Sequence, residues 1–405
     1  MDAVRRSRQA SDIKEAMGEG TSKDFEAARL TVRLPAIAAN YRTYCRLTGP
    51  TAVAAVVKAD AYGLGMARVA PALAQAGCDS FFVARLEEGV VLRKLLPRAR
   101  IFVLDGAHPD AVPALISHRL TPVLNSLAEI AAWSAAAGLG RGALDAVLHV
   151  DTGMNRLGLP GDELSVLSGE QKKRLAGLNL VLVMSHLACA DEPKHKMNAE
   201  QLARFRQALA MLPPAPASLA ASHGAMLGLD YHFDLVRPGV ALYGANPQKP
   251  EGQAQDIGGT PNLMQTAAVL TAKVLQLRRI DSGQSVGYAA TFHAKRPTMI
   301  ATVALGYADG MSRALSNKGV AALGGRRVPV AGRVSMDLMT LDVSDLADVP
   351  RTGEEVELLG DTISLGEVAA LAGTNEYEIL TRLRRVPRAY VEAPAPAGAS
   401  RKNPQ

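Results

Sequence analysis

Polar residues stand at the ends of short apolar runs at five places in this chain: Lys58, His149, Ser185 with His186, Ser222, and Arg237 with Gly239. A lysine pinned at a strand end and desolvated there has a lowered pKa, so its amine can attack an aldehyde or serve as a base. A lone lysine in such a place is more often a solvated rim residue. Lys58 is set in AVVKADAYGLG, and the turn that follows it argues for the chemical reading. Arg156, five residues past Asp151 in DTGMNRLG, and Arg237 cannot accept a proton; they can only donate to anions and lone pairs. His149 and His186 bring imidazoles that titrate near neutrality.

The elements that must position these groups form a regular alternation. Eight apolar runs lie at Val53–Val57, Phe81–Ala84, Ile101–Leu104, Thr121–Leu124, Ala146–Val150, Leu180–Met184, Ala217–Ala220 and Gly239–Leu242. Between them are segments with apolar residues at three- and four-residue spacing, among them Met66–Ala76, Leu127–Ala137 and Glu200–Met211. Eight such alternations predict an α/β fold, a (β/α)8 TIM-type barrel over residues 28–245, with a doubly wound sheet as the alternative on pattern alone. In a barrel the active site is built at the carboxyl ends of the strands, where the polar residues above fall. Residues 246–262 are rich in Gly, Pro and Gln and read as a linker or loop. Residues 263–392 follow with β-type runs such as Ala267–Leu277 and Thr298–Ala304 and read as a mainly β domain, a candidate to pair with the first residues of the barrel segment. Residues 1–27 and 393–405 read as flexible tails, the first lacking the apolar run of a secretory signal.

Bulk properties set limits on function. With 48% hydrophobic and 21% charged residues, the 405-residue chain can build two cored domains. A net charge of +6, partly carried by Arg5, Arg6, Arg8, Arg401 and Lys402, gives little reason to expect a nucleic-acid partner. No run of about 18 uncharged apolar residues occurs, which argues against a membrane span. Cys45, Cys78 and Cys189 are scattered, so no disulfide framework or metal site is expected, and a reducing cytoplasm fits.

In order, AVVKADAYGLG, HVDTGMNRLG, FDLVRPGVALYG, VGYAATF, VALGYADG and GRVSMD are similar to motifs of alanine racemases, and the match spans roughly residues 30–391. The resemblance implies a pyridoxal 5'-phosphate enzyme, an isomerase of L- and D-alanine supplying D-alanine for peptidoglycan. It also implies a homodimer whose two sites each borrow residues from the partner. Lys58 would carry the cofactor and act as base on the D-enantiomer, while Tyr288, from the second subunit, would act on the L-enantiomer. Two bases suit a reaction in which a proton leaves one face of a carbon and another arrives on the opposite face. Tyr62, Ser222 and the amides of Gly239 and Val240 match the phosphate-binding positions. Arg237 matches the arginine that donates to the pyridine nitrogen, leaving the ring a weaker electron sink than a carboxylate would, and His186 matches the histidine that orients it. Arg156 matches an arginine near the cofactor's phenolic oxygen that also holds the substrate carboxylate. Met336, with Asp337 beside it, matches a substrate contact from the partner, and Tyr307 lines the way in. Tyr41 and Ser335 read as structural.

Two departures stand out. Many members have a lysine, often carbamylated, two residues before the aspartate of DTGM; here it is His149, which leaves a neutral or cationic imidazole, or another anion, to hold Arg156. Many have a tyrosine just before RVPR, where this chain has Arg384. A broader-specificity or serine racemase shares all these motifs. A fold-related decarboxylase should carry a cysteine late in the chain, and none follows Cys189. A non-catalytic pyridoxal-phosphate-binding barrel would have no need of the β domain that carries Tyr288.

Overall fold

The computed structural model describes residues 26–140, 142–248 and 262–392; nearly all of the expected tails and linker lie outside these residues. The chain begins with β1 (Ala28–Arg33) and passes directly into α1 (Leu34–Thr48), with Pro35 in the first turn, where no N–H bond is lost.

Short uninterrupted runs of Val, Ile, Leu and Phe suit strands buried on both faces, and here they form a ring of parallel strands. Its members are β2 (Ala52–Val53), β3 (Ala55–Val56), β4 (Ser80–Val83), β5 (Arg100–Val103), β6 (Thr121–Leu124), β7 (Leu144–His149), β8 (Leu178–Met184), β9 (Ala217–Ser218) and β10 (Leu235–Val236). β3 to β9 pair in sequence order, and β10 pairs in parallel with β2. The gap between β9 and β10 is bridged by Arg237 N donating to Ala220 O at 2.9 Å. β2 and β3 are one strand parted at Ala54, whose N–H donates to Val236 O, so eight strands close the barrel. Connecting helices are α2 (Met66–Gln75), α3 (Leu86–Leu95), α4 (Val112–Ser117), α5 (Leu127–Leu139), α6 (Gly161–Gly169) and α7 (Lys196–Met211). Ser126 caps α5 by accepting from Glu129 N, and Trp133 on its inner face is 2% exposed and donates to Asp145 O.

One expected strand is misplaced. Gly239–Leu242 is not the eighth strand; Val240–Tyr243 is a 3-10 turn, and the strand is Leu235–Val236 just upstream. Pro238 has no N–H for a ladder, so the strand stops before it. Arg237 and Gly239 therefore follow the eighth strand instead of flanking its start.

The second domain contains β11 (Ala268–Ile280), β12 (Ser285–Val286), β13 (Phe292–His293), β14 (Thr298–Val303), β15 (Val320–Leu323), β16 (Arg326–Pro329), β17 (Met339–Asp342) and β18 (Glu355–Leu359). It ends in α8 (Leu365–Ala372), α9 (Glu376–Arg382) and β19 (Arg388–Val391). The main sheet runs β16-β15-β18-β11-β1-β19, with β14 and β17 joined through β11. β11 serves both sides: its residues 268–273 pair with β1 and β18, and its residues 274–280 pair with β14 in a register that shifts between Val274 and Gln276. A bulge of this kind bends a strand and increases its twist. β1 lies antiparallel to β11 and parallel to β19, so both ends of the described chain are sewn into the β domain.

Candidate active site

Lys58 follows β3 at the carboxyl end of the barrel and opens a turn of unusual hand. Ala59, Asp60, Ala61 and Tyr62 all have φ between 54° and 58°, four consecutive non-glycine residues in the left-handed region. Each such residue costs about 1 kcal/mol or more against the right-handed form, so something must hold them. Internally, Ala61 N bonds Val57 O and Gly63 N bonds Ala59 O, both at 2.9 Å. Glu88 Oε1 accepts from Ala59 N at 2.6 Å, and Asp60 Oδ1 accepts from Met66 N at 2.8 Å. Gly63, at φ 86°, faces the Leu380 carbonyl, which a Cβ would meet at 2.7 Å.

The turn delivers Lys58 and Tyr62 to a cavity of about 550 Å³ that also takes in Arg156, His149, His186 and Arg237. Ser222, Gly239 and Val240 line the same cavity. Apart from Ser185, the polar residues singled out in the barrel sequence thus line one cavity. The charge within is positive. Burial lowers the Lys58 pKa, with Arg156 adding to the effect and Glu88 and Asp105 opposing it. Arg237 is 3% exposed, and burial brings it down to about 9. It donates to Ser185 O at 2.6 Å, to Ser218 Oγ and to Leu219 O, and its guanidinium carbon lies 5.9 Å from the Phe82 ring centre. The bonds that orient it therefore come from Ser185, Ser218 and Leu219, while His186, lowered well below the usual histidine value by burial and then by Arg237, shares the cavity without a bond to it.

His149 is pushed down to about 4 by burial first and by the Arg237 charge second, so its ring is neutral at neutral pH. Its Nδ1 lies 2.8 Å from Asn125 Oδ1. Asn125 Nδ2 donates to Leu104 O and Val123 O, which fixes Oδ1 as the acceptor, places the proton of His149 on Nδ1 and leaves Nε2 with a free lone pair. Among the described residues no carboxylate pairs with Arg156 within 4 Å. Asp151 Oδ1 accepts from the N–H groups of Gly153, Met154 and Asn155. Ser222 Oγ accepts from Gly239 N at 2.9 Å, which frees its hydroxyl hydrogen for another acceptor. A Cβ at Gly239 would overlap the Tyr62 hydroxyl.

Tyr288, Tyr307, Met336 and Asp337 lie elsewhere. They line a second cavity, of about 1080 Å³, entirely within the β domain, together with Arg333 and Arg382. Tyr288 sits on a 3-10 turn, Tyr288–Ala290; it is 71% exposed, and Met336 is 54% exposed. Tyr41 is buried with its hydroxyl on Val53 O, and Ser335 O accepts from Tyr307 N. Sequence reasoning missed Asn125 and Ser218, which stand behind His149 and Arg237, and Tyr377, which lines the Lys58 cavity from α9 with its ring 5.8 Å from that of Tyr62. Nothing local marks them, because each acts across 19 or more residues of chain. Among the described residues, no three His, Cys, Asp or Glu side chains group as a metal site, and no helix is long and apolar enough to cross a membrane.

A barrel with a half-buried lysine in a cationic cavity at its mouth, joined to a β domain by both chain ends, defines an enzyme of the barrel class. The sequence models that match are the alanine racemase N-terminal domain, over residues 32–247, and the alanine racemase C-terminal domain, over residues 267–390. The chain is 48% identical to an alanine racemase of Rhodospirillum rubrum, covering 91% of this chain and 97% of that one. It is 46% identical to a catabolic alanine racemase of Agrobacterium fabrum, covering 92% and 95%. The crystal structure of alanine racemase from Bartonella henselae with covalently bound pyridoxal phosphate superposes with a TM-score of 0.85 at 40% identity, covering 90% of this chain and 99% of that one. The biosynthetic alanine racemase of Pseudomonas aeruginosa gives 0.83 at 37% identity, covering 91% of this chain and 100% of that one. The chain belongs to the alanine racemase family and is an isomerase.

Proposed function

We propose that this protein interconverts L- and D-alanine with pyridoxal 5'-phosphate held on Lys58, by a two-base mechanism completed across a homodimer. The observation that carries the reading is the placement of Lys58, with a lowered pKa, on a turn that also brings Tyr62 into a cavity with Ser222, Gly239 and a buried Arg237. The cavity suits the group. Gly239 keeps space open beside the Tyr62 hydroxyl, Ser222 has a hydroxyl hydrogen to give, and Arg237 is a buried donor with no carboxylate partner among the described residues. Tyr62, Ser222 and the amides of Gly239 and Val240 would hold the phosphate, and Arg237 would donate to the ring nitrogen.

Bound there, pyridoxal phosphate supplies an electron sink that acidifies the α-hydrogen of an amino acid. The chain's own groups do the rest. Lys58, whose pKa burial and Arg156 lower, takes or returns the proton on the face used by the D-enantiomer. Arg156, exposed and without a carboxylate partner among the described residues, takes the substrate carboxylate. His149 offers it a neutral lone pair in place of a negative charge. Tyr288 of a second copy handles the proton on the opposite face, with Met336 and Asp337 bordering the substrate and Tyr307 the way in. Exposure of Tyr288 and Met336 in the single chain supports that assignment, since both groups are left for another surface to cover. Supply of D-alanine to peptidoglycan and a cytoplasmic location complete the reading; the latter is supported by three free cysteines.

Borohydride reduction followed by peptide mass mapping, with racemisation measured over a panel of L- and D-amino acids, tests it. Cofactor fixed on Lys58 and turnover of alanine are expected. Fixation elsewhere, or no turnover of alanine, would contradict the reading.

A further inference from the structure

The left-handed turn beside Lys58 is gripped from both domains. On the barrel side, Glu88 divides its carboxylate between Ala59 N and the Ala84 and Arg85 N–H groups. On the other side, Arg388 on β19 donates from Nη1 to Asp60 Oδ2 at 2.8 Å, while Asp60 Oδ1 holds Met66 N at the start of α2. The carboxylate cannot rotate without losing one of these bonds. Tyr390, two residues along β19 and so on the same face, donates to Leu64 O at 3.1 Å and lies under the Arg68 guanidinium at 5.0 Å. Arg388 is only 21% exposed at its side chain.

We propose that the Asp60–Arg388 pair is a latch through which the β domain holds residues 59–62 in the left-handed conformation, and thereby sets the positions of Lys58 and Tyr62. Asp60 and Arg388 are positioning residues. The inference rests on the reading of Lys58 as the reactive amine. The latch acts by geometry: the charges acting on the Lys58 ammonium come from Arg156, Glu88 and Asp105, and Lys58 in turn acts on His186 and Asp105, while Asp60 is neutralised by Arg388. Without the pair, the strained residues keep only the barrel-side grip and their own bonds, so return toward the right-handed region becomes easier, which reorients the peptides next to Lys58 and moves the Tyr62 ring away from Gly239.

The holoenzyme variants Asp60→Asn, Arg388→Met, Arg388→Lys and the double variant Asp60→Asn with Arg388→Met test the latch. Three quantities are measured: kcat against KM for alanine, the rate at which pyridoxal absorbance is lost on gel filtration, and the yield of borohydride-fixed cofactor on Lys58. Asp60→Asn and Arg388→Met are each expected to lower kcat by about tenfold with KM changed by less than about twofold, and to speed cofactor loss by a similar factor. The double variant should lose no more than either single one, because both break the same contact, and Arg388→Lys should restore part of the loss. Singles that keep kcat and cofactor retention within about twofold of the parent, or losses that multiply in the double, would overturn the latch. Should Arg388→Met fold poorly, Asp60→Asn decides, since its amide oxygen still serves Met66 N. Failure to fix cofactor on Lys58 in the parent enzyme overturns the reading of Lys58 itself, and the latch with it.

Discussion

At the scale of single residues, His149 is where this chain departs most from the resemblance its sequence carries. A neutral imidazole, locked by Asn125 with its proton on Nδ1, presents a lone pair but no negative charge to the cationic cavity. That has a consequence for stability. The folded ring titrates at about 4 and an unfolded one near 6.5, so between these values the unfolded chain binds the extra proton. Stability from this group is complete above pH 6.5 and is lost as pH falls toward 4; His186, shifted in the same direction, steepens the fall. Urea midpoints of the parent and of His149→Gln from pH 7 to 4 check this: the variant is expected to lose its stability less steeply, by about one proton. Parallel curves would contradict the buried neutral imidazole. The residue types of the site were legible in the sequence, from Lys58 to Arg237, because each sits in a recognisable string. Their supports were not: Asn125, Ser218 and Arg388 are common polar types in unremarkable surroundings, and only the fold brings them near.

At the scale of elements, the barrel strands were readable where burial on both faces leaves an uninterrupted apolar run, as in SFFV of β4. The same cue misled at Gly239–Leu242, since a short apolar run carries no period that separates a strand from a 3-10 turn, and Pro238 outweighs composition. The pairing of β1 with β11 and β19 joins residues more than two hundred positions apart, and local sequence holds no record of the register. The turn after Lys58 was visible as a glycine-bearing string, but its left-handed path was not, because Ala, Asp and Tyr disfavour it. Gly63 tests the packing around that path. Gly63→Ala adds a Cβ against the Leu380 carbonyl at positive φ, and about 2–3 kcal/mol of destabilisation is expected. Gly373→Ala, also at left-handed φ and ψ but with nothing within 4 Å, should cost only about 1 kcal/mol. Thermal melting of both variants checks the comparison; equal losses would mean that Leu380 yields and α9 does not press on the turn.

At the scale of the whole molecule, the candidate residues of one chain fall into two separate groups, which the proposed function reads as two halves of a site. Lys58, Arg156 and Arg237 share the barrel cavity, whereas Tyr288, Met336 and Asp337 border the other cavity, within the β domain. Sequence motifs put all of them on one list, and only the structure separates them into two groups. Symmetric pairing of two copies would bring each group against its complement, as isologous contacts do. Specific activity should therefore fall on dilution below the dimer's dissociation constant and return on concentration, a change that activity assays over a dilution series would follow. The central claim is tested most directly by mixing two variants, Lys58→Ala and Tyr288→Phe, each of low activity alone, after dissociation and reassociation of their subunits. In a mixed dimer, one site receives both mutations and the other receives intact Lys58 from one copy and intact Tyr288 from the other. Random reassociation makes half the dimers mixed, so recovery to about a quarter of parental activity is expected. Activity that stays at the level of the separate variants, although mixed dimers have formed, would contradict a site shared between two copies.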